Sequence, residues 1–256
     1  MSSKPAPSTA LCHATADRIK IRGRDLCGEL IGKVDFVQMM MFEIFGRMPT
    51  PVEAQVVTAV MVAIMEHGLT ASTISARMIY SSAPEAMQGA IAAGLLAGGS
   101  VMLGTVEQCA RLLQRIVDDP LGVPAAARRE ARAHHEAGKH ISGFGHPWHH
   151  PDDPRTLRLF ELARELGLSC RYVAAAEALS PEVDEAWGKH LTMNASIAFA
   201  ALFCEIGIPV EIMRGLLLVS RSAGLVAHIL EEHRNSITLS LMKNAEATVP
   251  YRSSKA

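Results

Sequence analysis

The chain has 256 residues, 49% of them hydrophobic and 20% charged, with a formal net charge of −1. That length supports one large domain or two unequal ones, and the composition excludes a disordered chain. A charge so close to neutral, with no block of one sign, excludes the electrostatic footprint of a nucleic-acid or anionic-membrane binder.

Residues 1–15 are rich in Ser, Ala and Pro and lack the apolar centre of a signal peptide, so a flexible arm is expected over 1–16. Abundant Ala, Leu and Met with only 5% aromatics favour helices, and no alternating apolar run suggests strands. A first helix is expected over 35–45, stopped by Gly46. Thr50 caps the next, Pro51 opens it, and Val56, Val57, Val60, Ile64 and Met65 continue it at helical spacing until His67-Gly68. Its apolar stretch 56–65 is too short for a bilayer and is broken by Thr58, so a soluble cytoplasmic chain is expected.

Further helices are expected over 70–80, and from Pro84 through 91–96. The second is dense in small residues and suits a buried centre or a dimer interface. Then come 105–117, a solvated amphipathic helix at 125–137, and an irregular Gly/Pro-rich loop over 138–154. Helices at 155–166, 170–179, 195–206, 210–232 and 236–247 complete the chain. Five widely spaced cysteines without a CxxC pattern read as free, buried thiols in a reducing compartment.

Four places carry chemistry-bearing residues. In Ser142-Gly143-Phe144-Gly145-His146-Pro147, two glycines free the backbone for close approach to a ligand, and His146 projects from a stiff turn. His149 and His150 beside it read as solvated loop residues, because no ligand set with zinc spacing accompanies them; no metal is expected. Glu66-His67-Gly68 places a histidine at a helix end, where the dipole alone would favour it. Arg155 opens a helix, an unfavourable place for a cation unless a bound carboxylate pairs with it. Arg221 sits amid Leu216, Leu217, Leu218, Val219 and Leu225; it either lies on an exposed face or needs a ligand anion.

The order of these segments resembles the citrate synthase superfamily, in its short citryl-CoA lyase-like form, which is also the module at the end of ATP-citrate lyase. Gly143-Phe144-Gly145-His146 followed by Asp153-Pro154-Arg155 resembles the family's GxGH…DPR signature. Glu66-His67 with Ala71-Ser72-Thr73, Ser220-Arg221-Ser222-Ala223-Gly224 with Ala227-His228, Gly207-Ile208-Pro209, and Gly46-Arg47-Met48-Pro49-Thr50 resemble four further family segments. The resemblance implies an all-α fold with a large and a small helical domain, dimeric, that closes over its substrates. It implies a large domain of 17–107 and 198–256 and a small domain of 108–197 bearing the GFGH loop. His67 and His146 would hold the oxo-acid oxygen, Arg155 and Arg221 its carboxylates, and Gly143, Phe144 and Gly145 would touch coenzyme A.

Two positions depart from the family. Met102 stands where synthases carry a second histidine, which the lyase module also lacks. Asn194-Ala195-Ser196 stands where the family has Asn-Val-Asp, so Ser196 replaces the aspartate that moves a proton at the acyl carbon. A serine hydroxyl cannot act as that base near neutral pH. Glu66 and Glu107 are the candidate acids to take over. The resemblance implies a lyase that cleaves or forms a C–C bond in a 3-hydroxy-3-carboxyacyl-CoA, giving an acyl-CoA and a 2-oxo acid such as oxaloacetate. No tightly bound cofactor is implied: the coenzyme A thioester is substrate, and the dicarboxylate or oxo acid its partner. Thioester hydrolysis or a non-catalytic CoA-binding subunit are the alternatives that Ser196 leaves open.

Overall fold

A computed structural model describes residues 7–252, which form two compact units divided inside one helix, between Thr58 and Ala59. Residues 1–6, part of the expected arm, lie outside the described residues.

The first unit contains the element that the sequence reading missed, a three-stranded antiparallel sheet. Strands β1 (Cys12–Ala14), β2 (Ile19–Ile21) and β3 (Arg24–Asp25) pair in order, with Cys12 opposite Ile21 and Lys20 opposite Asp25. They are two or three residues long, too short to show an apolar alternation. A π-helical turn (Leu26–Leu30) and helix α1 (Phe36–Phe45) follow. Asp35 caps α1 through a reciprocal pair with Gln38, and Gly46 closes it in the left-handed region at φ 71°. Ile21, Leu30 and Phe42 form the unit's core. The expected arm is therefore partly structured, because β1 is paired from Cys12 onward.

Helix α2 (Pro51–Met65) leads into the second unit, which is helical throughout: α3 (Ala71–Ser82), α4 (Met87–Leu96), α5 (Thr105–Val117), α6 (Val123–Glu136), α7 (Pro154–Glu165), α8 (Arg171–Trp187), α9 (Ala195–Glu205), α10 (Val210–Arg234) and α11 (Thr238–Thr248). Two boundaries differ from expectation by more than two residues. Helix α4 opens at Met87, not Pro84, and α8 runs past Pro181 to Trp187. A proline inside a helix removes one backbone bond, at about 3 kcal/mol. The buried Leu179 and Val183 on either side hold the continuation in place.

The centre of this unit is α9, where Ala195 and every residue from Ile197 to Cys204 are buried. A helix apolar on all faces must be enclosed; α9 packs against α5, α7, α8 and α10. Cys109 and Cys204 are buried, and burial pushes the Cys204 thiol up to about 12; Cys12 and Cys27 are exposed, against the expectation of buried thiols throughout.

Helices α3, α4 and α10 form a second packed group. It is joined by an ion pair in the core: Arg77 of α3, 1% exposed, donates from Nη1 to Glu232 of α10 at 2.9 Å and bonds Glu231 as well. Glu232, 3% exposed, also accepts from Ser236, Thr238 and the backbone N–H of Ile237. Breaking one member of such a buried pair costs about 3–5 kcal/mol. Burial would raise the Glu232 pKa, but the bonds from Ser236, Arg77, Thr238 and Ile237 outweigh it and lower it to about 2.

That depressed pKa fixes a sign. The unfolded carboxyl titrates near 4.5 and the folded one near 2, so its contribution is complete above pH 4.5 and is lost as pH falls toward 2. Urea midpoints measured between pH 6 and pH 3 should fall for the native protein. In Glu232→Gln the midpoint should be lower at pH 6 and decline less toward pH 3.

Candidate active site

One cavity of about 270 Å³ lies within the second unit, walled by the turn after α2, the 97–105 segment, the GFGH loop, the start of α9 and the middle of α10. The loop is built by pairing. Phe144 forms an isolated bridge with Met193, Gly145 N–H donates to Thr192 O at 2.7 Å, and Asn194 N–H donates to Gly143 O at 2.9 Å. Gly143 (φ 95°) needs to be glycine twice over: its conformation is left-handed, and a Cβ would fall 2.8 Å from that of Ile197. Asn194 braces the other side, donating from Nδ2 to Gly145 O at 3.0 Å and capping α9 through Ser196 N–H at 3.0 Å.

The structure brings His67, His146, Arg155, Arg221, Ser196 and Gly145 to this one cavity. It does not bring the Phe144 side chain there, which is fully buried in the core, nor Gly143, whose role is to fit against α9. A contact of either with coenzyme A would run through loop backbone.

His146 has a defined tautomer. Its Nδ1 accepts the backbone N–H groups of Trp148 at 3.1 Å and His149 at 3.0 Å. In a neutral imidazole whose Nδ1 accepts, the hydrogen sits on Nε2. His146 is thus a fixed hydrogen-bond donor. Burial, reinforced by His149, keeps its pKa below the ordinary 6.5, with Asp153 opposing. Burial and Arg155 do the same for His67. Both rings are neutral at neutral pH.

His67 is held from behind. Glu66 accepts its backbone N–H at 2.9 Å and that of Gly68, and bonds His228 Nε2 at 2.8 Å; His228 Nδ1 in turn accepts from Arg77 Nε at 2.9 Å. Both Glu66 oxygens are therefore engaged. Glu107 is likewise engaged, by Nε and Nη2 of Arg214, each at 3.2 Å. Neither acid is free to replace the missing carboxylate at position 196.

The two arginines differ from expectation in opposite ways. Arg155 does not wait for a ligand to justify its place at the start of α7. Its Nε and Nη2 fork onto Asp153 at 3.0 and 2.7 Å, which leaves Nη1, 3.5 Å from Ala63 O, as its outward donor. Asp153 is fully buried and is also the α7 cap. Arg221 is not on an exposed face. It is 3% exposed, and its Nε and Nη1 have no hydrogen-bond partner among the described residues. Burial lowers its pKa, with Glu66 opposing and Arg155 reinforcing. An unpaired buried guanidinium beside an open cavity is an anion site.

Ser196 Oγ lies 2.9 Å from Thr105 Oγ1, so two hydroxyls occupy one wall and no carboxylate does. His149 was misread from sequence as a solvated loop residue: its Nε2 is 3.0 Å from that of His67. Its position three residues after His146, beyond a proline, was the available signal. His67, His146 and His149 offer ring nitrogens within 4.8 Å of one another, the spacing of a metal group. The tautomer of His146 argues against that use, since the nitrogen facing away from its backbone donors carries a proton rather than a lone pair.

A helical cavity with a buried, unpartnered arginine and two neutral histidines has the chemistry of an anion site. The family described as citrate synthase, C-terminal domain, matches residues 11–240, and the chain belongs to the citrate synthase family. Its fold matches a citryl-CoA lyase from Hydrogenobacter thermophilus with TM-score 0.84 and 30% identity, covering 98% of this chain and 96% of that one. It also matches the ATP citrate lyase of Methanothrix soehngenii, solved with citrate and coenzyme A, with TM-score 0.80 over all of this chain and 43% of that one; at 19% identity this concerns the fold alone. The citrate synthase of Haloferax volcanii is 28% identical over 194 residues, 75% of this chain and 50% of its own. The chain spans about half the length of the curated relatives it matches.

The Arg221 assignment predicts a stability trade. Leaving a buried polar group unsatisfied costs about 1–3 kcal/mol. Arg221→Leu should raise the melting temperature of the ligand-free protein. Citrate, as probe anion, should stabilise the native protein but not the variant. Differential scanning calorimetry with and without citrate reads both.

Proposed function

We propose that this chain is a citryl-CoA lyase-like enzyme that cleaves, or in reverse forms, a C–C bond in a 3-hydroxy-3-carboxyacyl-CoA, giving an acyl-CoA and a 2-oxo acid such as oxaloacetate. The observation that carries the reading is Arg221, a buried guanidinium with unpartnered donors in the same cavity as two neutral histidines. Arg221 takes one carboxylate through a charge-assisted fork, and Arg155 contributes its remaining Nη1 edge to the other. His146 Nε2–H donates to the oxygen on the carbon being cleaved, where negative charge grows as the bond breaks. Of residues 143–145, Gly145 lies at the cavity and meets the thioester arm through backbone. The family assignment and the full-length match to a lyase support the same reading. Homodimer assembly belongs to the proposal as a family expectation, and a cytoplasmic location as the expectation of the sequence.

Ser196 favours one competing reading. A pair of hydroxyls, Ser196 and Thr105, suits holding a water better than removing a carbon-bound proton. Thioester hydrolysis is therefore the second candidate.

Incubation with citryl-CoA separates them. A lyase releases oxaloacetate, read by a coupled dehydrogenase, and His146→Ala should lower that rate by about 10²-fold or more, the scale of a lost oxyanion donor. A hydrolase releases free thiol without oxo acid; a binding subunit does neither yet melts higher with coenzyme A. Appearance of thiol alone would reject the lyase.

The position of Ser196 makes a second prediction. Ser196→Asp restores a carboxylate at the acyl carbon, and general base catalysis is worth about 10²–10⁴-fold. Exchange of acetyl-CoA methyl protons into deuterated water, followed by NMR, should rise by about tenfold or more in the variant.

A further inference from the structure

The reading above leaves the hydroxyl proton of the substrate without an acceptor. His146 cannot take it at Nε2, which already carries hydrogen while Nδ1 serves two backbone donors. Asp153 is forked to Arg155, Glu66 is bonded through both oxygens, and Ser196 is a hydroxyl. At the cavity two imidazoles remain: His140, exposed and set against Gly145, and His67, which is less exposed and is paired with a second ring. The Nε2 of His67 lies 3.0 Å from His149 Nε2, with the rings edge to face, 5.2 Å between centroids and 81° between planes. Two imidazole nitrogens at that distance share one proton, and the pairing leaves His67 Nδ1 as its open nitrogen. His149 is not a wall of the cavity and is partly exposed, so it can exchange protons with solvent.

We infer that His67 and His149 form a two-imidazole relay, in which His67 Nδ1 takes the substrate's hydroxyl proton while the shared Nε2 proton passes to His149. The inference rests on the lyase reading of this cavity. The O–H bond breaks as the His67 Nδ1–H bond forms. The oxygen's electron pair makes the new C=O bond while the C–C bond breaks, and the C–C pair becomes the thioester enolate. Cavity water protonates the enolate carbon, and the hydroxide left behind is neutralised by the proton on His149. His67 is then the catalytic residue and His149 the positioning residue that acts through it.

The charged surroundings fit the relay. Arg155 and Arg221 disfavour an imidazolium at His67, Asp153 favours it, His146 stands neutral beside it, and Glu66 is spent on backbone N–H groups and His228. Passing the proton on to His149 removes the positive charge from His67, where the two arginines oppose it. It also gives position 149 the task of moving a proton without a carboxylate at 196.

His149→Gln and His149→Ala in the full chain test this. For citryl-CoA cleavage, His149→Gln should lower kcat by about 10–100-fold, within the range of one proton-transfer group, with KM within about threefold, and should reshape the acid limb of the pH–kcat profile. His149→Ala should behave alike, since neither side chain accepts a proton. NMR of histidine-labelled protein gives a readout independent of activity. His67 and His149 should titrate as a coupled pair in the native protein, and His67 should titrate in a single independent step in His149→Gln. An unchanged kcat profile, or a His67 titration that ignores the substitution, overturns the relay. So does zinc retained stoichiometrically after dialysis and required for turnover. If citryl-CoA is not turned over at all, a coupled titration still supports the pair while the lyase reading fails, and independent titrations sink the relay itself.

Discussion

The buried carboxylate of Asp153 is the constraint on which the site depends. It caps α7, grips the Arg155 guanidinium with both oxygens and accepts the backbone N–H of Ala195 at the start of α9, 3.2 Å away. One fully enclosed anion thereby ties together the end of the GFGH loop, the first turn of α7 and the first turn of the central helix. Burial alone would raise its pKa, but Arg155 and the backbone donors outweigh that and keep it charged. A charged group in that place is tolerated only while its partners stay in position, so each of the three elements holds the other two.

Arg221 presents the opposite case. It is almost as deeply buried as Asp153, yet two of its donors are unused. A protein gains nothing in stability from such a group, and stability and function part company there. The same contrast separates Arg155, whose fork is satisfied within the chain, from Arg221, whose fork is open. The two arginines look alike as site residues in sequence, but they carry unequal shares of ligand binding.

The histidines show how backbone donors assign chemistry. Two N–H groups aimed at Nδ1 make His146 a donor and remove it from the list of bases, although nothing about its side chain differs from His67. His67 is governed instead by its neighbour across the loop. The cavity thus separates the stabilising of an oxyanion from the acceptance of a proton, and it does so without a carboxylate at the reacting carbon.

The helices and the membership of the family were legible in the sequence, because both rest on local order: caps such as Thr50, stops such as Gly46, apolar spacing, and motifs read in succession along the chain. The bounds of α5, 105–117, follow from such signals alone. Strands of two or three residues around Ile19–Ile21 left no such trace, since their pairing is made across the chain rather than along it. The residues of the site were legible as types, and their states were not. Whether Arg221 was exposed or buried, whether Arg155 had a partner, whether Glu66 and Glu107 were free, and whether His149 faced solvent or His67 all depended on groups far away in sequence, such as Glu66 with His228 and Glu107 with Arg214. Burial and hydrogen-bond partners are properties of a three-dimensional neighbourhood. They decide protonation and charge, and hence which residue acts as donor, base or clamp.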